Sequence, residues 1–142
     1  MVLRRARRIL ENEDDSREVL QEIFVSLVTD PETLPQQGSV VAWLYGVTTH
    51  RCLNRLRDGR TRARILRERG QTEAVARPHG LDDALSVRAF LGELDDELAK
   101  AAVLHFIDEM THDEIALVLD CSRRQVGYLL EQVRALAQQR QI

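Results

Sequence analysis

The chain has 142 residues, 44% of them apolar and only 4% aromatic, with a formal net charge of −3. That length supports one domain or two small helical ones, with a core resting on Leu, Val, Ile and Ala. No apolar run reaches the roughly 18 residues that cross a bilayer, and Arg4, Arg5, Arg7 and Arg8 are not followed by the apolar stretch of a signal peptide. The sequence therefore predicts a cytoplasmic protein without membrane insertion.

Helical periodicity recurs along the chain and strand signals are almost absent, so the predicted fold class is all-α. Val19, Leu20, Ile23, Phe24, Leu27 and Val28 recur at helical spacing. Asp15 with Glu18 three residues later fits a capping box, and Asp30-Pro31 stops the helix, because a residue before proline avoids helical dihedrals. Ser39 can cap a longer helix from Val40 to at least Arg57. The stretch 70–80, with Gly70, Pro78 and Gly80, reads as a linker between two small helical domains, 1–69 and 81–142. Beyond it, Leu81–Glu93 is one helix and Leu94–Ile107 another.

Two capping boxes then follow in succession. Thr111 to Glu114 precedes Ile115, Ala116, Val118 and Leu119, and Ser122 to Gln125 precedes Val126, Leu129, Leu130, Val133 and Leu136. Asp120, which tolerates left-handed backbone, stands at the turn between them. A short helix, a tight turn and a longer helix form the helix-turn-helix pattern. The same arrangement also occurs in all-α proteins that never touch DNA.

Charge is uneven. Residues 1–69 balance to +3 and residues 70–142 to −6, while 51–69 alone hold eight arginines against Asp58 and Glu68. That basic stretch can attract phosphates; as a solvated helix face it would need no ligand. The acidic stretch from Glu11 to Glu22 suits a helix N-terminus.

Cys52 and Cys121 are far apart and lack the pairing of zinc or redox sites. They are expected to be small buried or half-buried thiols. His50, His79, His105 and His112 are scattered, with no nucleophile or carboxylate at motif spacing and no glycine-rich phosphate loop. The sequence predicts no catalytic residues, no cofactor and no metal, hence a binding protein and not an enzyme.

Three stretches carry a family resemblance. They are Asp14 to Phe24, with its Gln21-Glu22-Ile23-Phe24 ending; Ala42-Trp43-Leu44-Tyr45 followed by Arg51 and Leu53 to Arg57; and Leu94 to Ala137, with Thr111, Glu114, Ile115, Ala116, Cys121 and Ser122. Taken in order, they resemble the sigma-70 family of transcription initiation factors, in its two-domain extracytoplasmic-function (ECF) group. The resemblance covers nearly the whole chain and starts inside what would be the family's first long helix.

It implies binding to bacterial core RNA polymerase and to promoter DNA, with an anti-sigma factor as a further candidate partner. Core polymerase would be met by Asp15, Glu18, Gln21 and Glu22, with Val19, Leu20, Ile23 and Phe24 packed inward. The minus-ten element would be held by Arg51, Arg55 and Arg57 through phosphates and by Thr49, His50 and Asn54 through hydrogen bonds. Trp43, beside Leu44 and Val47, is expected in the core, with a base-stacking platform as the alternative. The minus-thirty-five element would be read by Ser122, Arg123, Arg124, Gln125 and Tyr128 in the major groove. Gly127, Leu129 and Gln132 stand where relatives often carry Lys or Arg, which predicts weak phosphate contact. Two other functions compete. One is a sigma-like interaction protein that binds polymerase or an anti-sigma factor without reading a promoter. The other is a free-standing helix-turn-helix regulator, against which the motifs of the first domain argue.

Overall fold

The computed structural model describes the backbone of residues 1–68 and 79–140, and the side chains of residues 1–59 and 86–140. Seven α-helices follow in order among these residues: α1 Val2–Leu10, α2 Glu13–Thr29, α3 Val40–Glu68, α4 His79–Glu93, α5 Asp96–Ala102, α6 His112–Leu119 and α7 Arg123–Gln139. A single 3-10 turn, Pro31–Thr33, and one π-helical turn, Val103–Ile107, complete the chain path, and no strand occurs among the described residues. No helix there is long and apolar enough to cross a membrane.

The first three helices form one packed unit. In α1, Ala6, Ile9 and Leu10 are buried together with Arg5, a stripe at one-and-four spacing. Glu11 ends the helix in the left-handed conformation (φ 47°), and Asn12 caps α2 by accepting from the Asp15 amide. The cap thus stands three residues before the predicted Asp15. Glu13, Asp14 and Asp15 instead fill the first turn, where carboxylates complement the helix dipole. Arg7 grips Glu13 with two hydrogen bonds of 2.7 and 2.6 Å, tying α1 to α2. That grip from Arg7, reinforced by Arg17, lowers the Glu13 carboxyl pKa to about 2.

As predicted, α2 stops before Pro31, and the Ser39 hydroxyl accepts from the Ala42 amide at the start of α3. Along α3, Thr48, Thr49, Cys52 and Leu53 are buried. Each threonine hydroxyl donates to the carbonyl one turn back, at 2.6 and 2.7 Å, so neither is left unsatisfied inside. Cys52 is wholly enclosed and burial pushes its thiol up to about 12, whereas Cys121 is half-buried. The core expectation fails for Phe24, which is 59% exposed, and for Leu20 and Trp43, which are half-buried; Val19 and Ile23 are buried as expected.

The predicted linker 70–80 falls mostly outside the described residues, and His79 and Gly80 already belong to α4. The predicted single helix 94–107 is split: Asp95 starts α5, and the chain widens into the π turn from Val103. Ala99, Ala101, Val103, Ile115, Val126 and Leu130 then pack with Phe90 and Leu91. The buried residues of both halves form one continuous apolar cluster. Gly92 marks a close approach between them. A Cβ there would stand 3.2 Å from the Leu56 carbonyl oxygen and 3.3 Å from its carbon, so glycine lets α4 lie on the α3 backbone without the shift of a few tenths of an ångström that a larger residue would require.

Candidate nucleic-acid interface

The helix-turn-helix is built from local signals. Thr111 accepts from the Glu114 amide at 3.2 Å while the Glu114 carboxylate accepts from the Thr111 amide at 3.2 Å, a complete capping box. Asp120 closes α6 in the left-handed region (φ 53°, ψ 51°). Ser122 then caps α7 by accepting from the Gln125 amide at 3.1 Å. In α7, Val126, Leu129, Leu130 and Val133 are buried, which turns the opposite face outward.

Ser122, Arg123, Arg124 and Gln125 are all exposed, and Tyr128, one turn further, is 55% exposed. Arg123 keeps only a loose ion pair with Asp113 at 3.6 Å, both groups being well hydrated. The Tyr128 hydroxyl accepts from Gln132 Nε2 at 2.9 Å, which orients the ring along the helix. Leu129, where relatives often carry a cation, faces the core and could not touch DNA with any side chain.

The other expected residues lie on α2 and α3 and behave differently. Arg55 is flanked by three carboxylates. It ion-pairs with Glu18 and with Glu22, and stands 3.7 Å from Asp15. Partial burial opposes its charge, but the hydrogen bonds to Glu22 and Glu18 outweigh that and hold its pKa above the ordinary arginine value. Arg51 bonds Glu22 at 3.3 Å and the Ser26 hydroxyl at 2.9 Å. Asp15, Glu18 and Glu22 are thus paired with Arg51 and Arg55 across the α2–α3 groove, whereas Gln21 is exposed on the α2 surface.

Thr49 is 3% exposed and accepts from Arg5 Nε and Nη2 at 3.1 and 2.6 Å. His50 and Asn54 are exposed and hydrogen-bonded to each other at 3.3 Å. Arg57 reaches Asp96 at 3.6 Å and the Leu94 carbonyl at 3.3 Å. Asp96 also lies 3.9 Å from His50 and 2.8 Å from Lys100.

Sequence reasoning missed an apolar strip on α2. Phe24, Val25 and Val28 are 59, 62 and 80% exposed, and Val40 and Val41 at the start of α3 are exposed as well. The resemblance and the helical spacing together placed Phe24 in the core, because the strip is continuous with the buried stripe of Val19 and Ile23. The signal available was the width of the apolar arc, which exceeds what one packed neighbour can cover. Among the described residues no cluster of His, Cys, Asp or Glu is arranged to hold a metal ion.

Comparison with known proteins accounts for both halves. Sigma-70 region 2 matches residues 1–62 and Sigma-70, region 4 matches residues 84–136. No curated protein gives a significant match. The region 4 match is of the type found in extracytoplasmic-function members. With regions 2 and 4 matched in order over most of its length, the chain belongs to the sigma-70 family of transcription initiation factors and to its extracytoplasmic-function type.

Proposed function

We propose that the chain is a promoter-specificity subunit that binds core RNA polymerase through its first domain, residues 1–69, and promoter DNA through both that domain and the second, residues 81–142. The observation that carries this reading is the first turn of α7. Its outward residues Ser122, Arg123, Arg124, Gln125 and Tyr128 offer a hydroxyl, two guanidinium groups, an amide and a phenol, at a capped helix N-terminus. Arginine can bond two acceptors of guanine and glutamine those of adenine, and the helix N-terminus attracts phosphate.

The polymerase contact is assigned to the outer face of α2, with Gln21 and the carboxylates of Asp15, Glu18 and Glu22 around exposed Phe24, Val25 and Val28. An apolar centre with a polar rim is the usual anatomy of a protein interface. The minus-ten contacts are assigned to the exposed His50 and Asn54 directly, with Thr49, Arg51, Arg55 and Arg57 exchanging their present partners for DNA. An anti-sigma factor fits the same chemistry as a regulator of either surface. A factor of this kind acts by binding and carries no catalytic step, and it works in the cytoplasm where the polymerase is.

A second reading is favoured by one observation: Arg51 and Arg55 are already neutralised by neighbouring carboxylates. A first domain whose described α3 arginines are already paired can bind polymerase without reading DNA. Mapping transcript start sites made by reconstituted holoenzyme on genomic fragments separates the two. The expected result is a defined set of start sites. In Arg123→Glu/Arg124→Glu their yield drops by roughly 100-fold, about 1–3 kcal/mol for each lost base contact. Unchanged start sites and yields in the double variant would remove the minus-thirty-five assignment, and polymerase binding without any start site would favour the second reading.

A further inference from the structure

Gly127 stands inside α7, in helical backbone, where glycine shifts the folding equilibrium towards the unfolded chain about fivefold relative to alanine. The described residues give no reason for it. Among them only Gly38 is a glycine with positive φ, and a Cβ built at Gly127 meets nothing within 4 Å. Gly92 is the contrast: a Cβ there would press on the α3 backbone, so a neighbouring helix accounts for the glycine. The space beside Gly127 has no occupant among the described residues.

The place of that space on the helix is informative. In α7 the buried side chains of Val126, Leu129, Leu130 and Val133 set the inward direction. Gly127 follows Val126 by one residue, about 100° around the helix, and shares a flank with Arg123 one turn earlier. Arg123 pairs with Asp113 of α6, so this flank is the one turned towards α6. When a helix-turn-helix docks, its second helix enters the major groove and its first crosses the sugar–phosphate backbone. The α6-facing flank of α7 is thereby the flank next to that strand. Gly127 is half-buried there, with exposed Arg124 and Glu131 as further neighbours one turn away. A cation at this position would supply charge; a glycine supplies room.

We propose that Gly127 is a positioning residue for the minus-thirty-five contact: its missing side chain lets the sugar–phosphate backbone of one DNA strand close on α7, and so brings exposed Arg124, Gln125 and Tyr128 to the base edges. Close approach of a ligand to helix backbone is a use to which glycine is suited. Arg123, whose pair with Asp113 is loose and hydrated, supplies the phosphate charge beside it. The inference rests on the assignment of α7 to promoter DNA and deepens it, by naming what sets the depth of the helix in the groove.

Two single variants of the full-length chain, Gly127→Ala and Gly127→Lys, test it in reconstituted holoenzyme. The probes are a labelled promoter duplex around a start site mapped on genomic fragments, and the same duplex with its minus-thirty-five element scrambled. Urea unfolding of the free chain follows stability. Gly127→Ala is expected to raise the unfolding midpoint, since alanine is the better helix former, yet to lower affinity for the native duplex about tenfold, the equivalent of one lost base contact. Its affinity for the scrambled duplex should stay that of wild type. Gly127→Lys should also bind the native duplex more weakly than wild type, although an added cation by itself strengthens DNA binding.

A Gly127→Ala holoenzyme that binds the native duplex as well as wild type, or loses equally on both duplexes, would overturn the inference. Tighter native-duplex binding by Gly127→Lys would overturn it too, because the position would then be a vacant phosphate site. A lower unfolding midpoint in Gly127→Ala would show that the fold itself needs the glycine, with the same consequence. Failure of the α7 assignment has a separate signature: Arg123→Glu/Arg124→Glu would leave start-site yields unchanged. Loss of yield in that double variant with full binding by Gly127→Ala would strike only the role given to Gly127.

Discussion

The first turn of α7 and the middle of α3 were both expected to meet DNA, yet their side chains live in different surroundings. On α7 every expected residue faces water, and Arg123 makes a hydrated ion pair with Asp113 at 3.6 Å. On α3 the arginines are held by carboxylates of α2 and α5, and Thr49 is buried under Arg5. The difference follows from how each face is made. The α7 face is left over once a local apolar stripe has packed, so caps and periodicity determine it. The α3 face is flanked by α1, α2 and α5 at once, so its accessibility depends on partners remote in sequence. A DNA-facing surface built locally is set by its own residues, and one built at a junction depends also on what its neighbours hold.

The comparison can be broken most forcefully through the core beneath α7. Leu130 is fully buried, and Leu130→Ala should cost about 2–5 kcal/mol, read as a lower midpoint in urea unfolding. A change below about 1 kcal/mol would mean that the helix-turn-helix is not packed as described.

A sharper contrast sets two arginines side by side. Arg55→Ala leaves Glu18 without a cation and Glu22 with Arg51 alone, and is expected to lower stability by about 1–2 kcal/mol. Arg123→Ala, at a site 70% exposed, should change it by no more than about 0.5 kcal/mol. Equal effects in chemical denaturation would erase the distinction between the junction and the open face.

The next effect is the cap. Ser122→Ala removes the acceptor for the Gln125 amide and should cost about 1 kcal/mol, with Ser122→Asp largely restoring it. Failure of aspartate to restore the midpoint would show that the hydroxyl acts in some other way.

The smallest effect is a pH dependence at the α1–α2 joint. The Glu13 pKa is depressed, mainly by its hydrogen bond to Arg7. Its contribution is therefore fully present above the ordinary glutamate range near pH 4.5 and is lost as pH falls from there towards 2. Unfolding midpoints of wild type and Glu13→Gln should differ slightly at pH 6 and converge in acid; a gap that widens in acid would reverse the sign. Because the pair lies in solvent, the gap should also shrink with added salt.

How much of this was legible in the sequence follows from the same division. The all-α class, the stop before Pro31, the cap at Ser39, the left-handed Asp120 and both helix-turn-helix caps were readable, because each is set by residues within four positions of one another. The start of α2 was misread, since Asp15 with Glu18 fits a capping box as well as Asn12 with its acidic turn fits a cap. The π turn after Ala102 left no local sign at all. Phe24 was misplaced because periodicity shows that a face is apolar and cannot show that a neighbour covers it. The burial of Thr49 and the pairing of Arg5 with Asp108 depend on contacts across 44 and 103 residues, for which a single sequence carries no pattern.

The most direct measurement is binding of the purified full chain to bacterial core RNA polymerase, followed by gel filtration and by transcription from genomic fragments. A one-to-one complex that initiates at defined sites is the predicted result. Absence of a complex at micromolar concentrations of both proteins would contradict the assignment of polymerase binding to α2, and with it the proposed role of the chain in initiation.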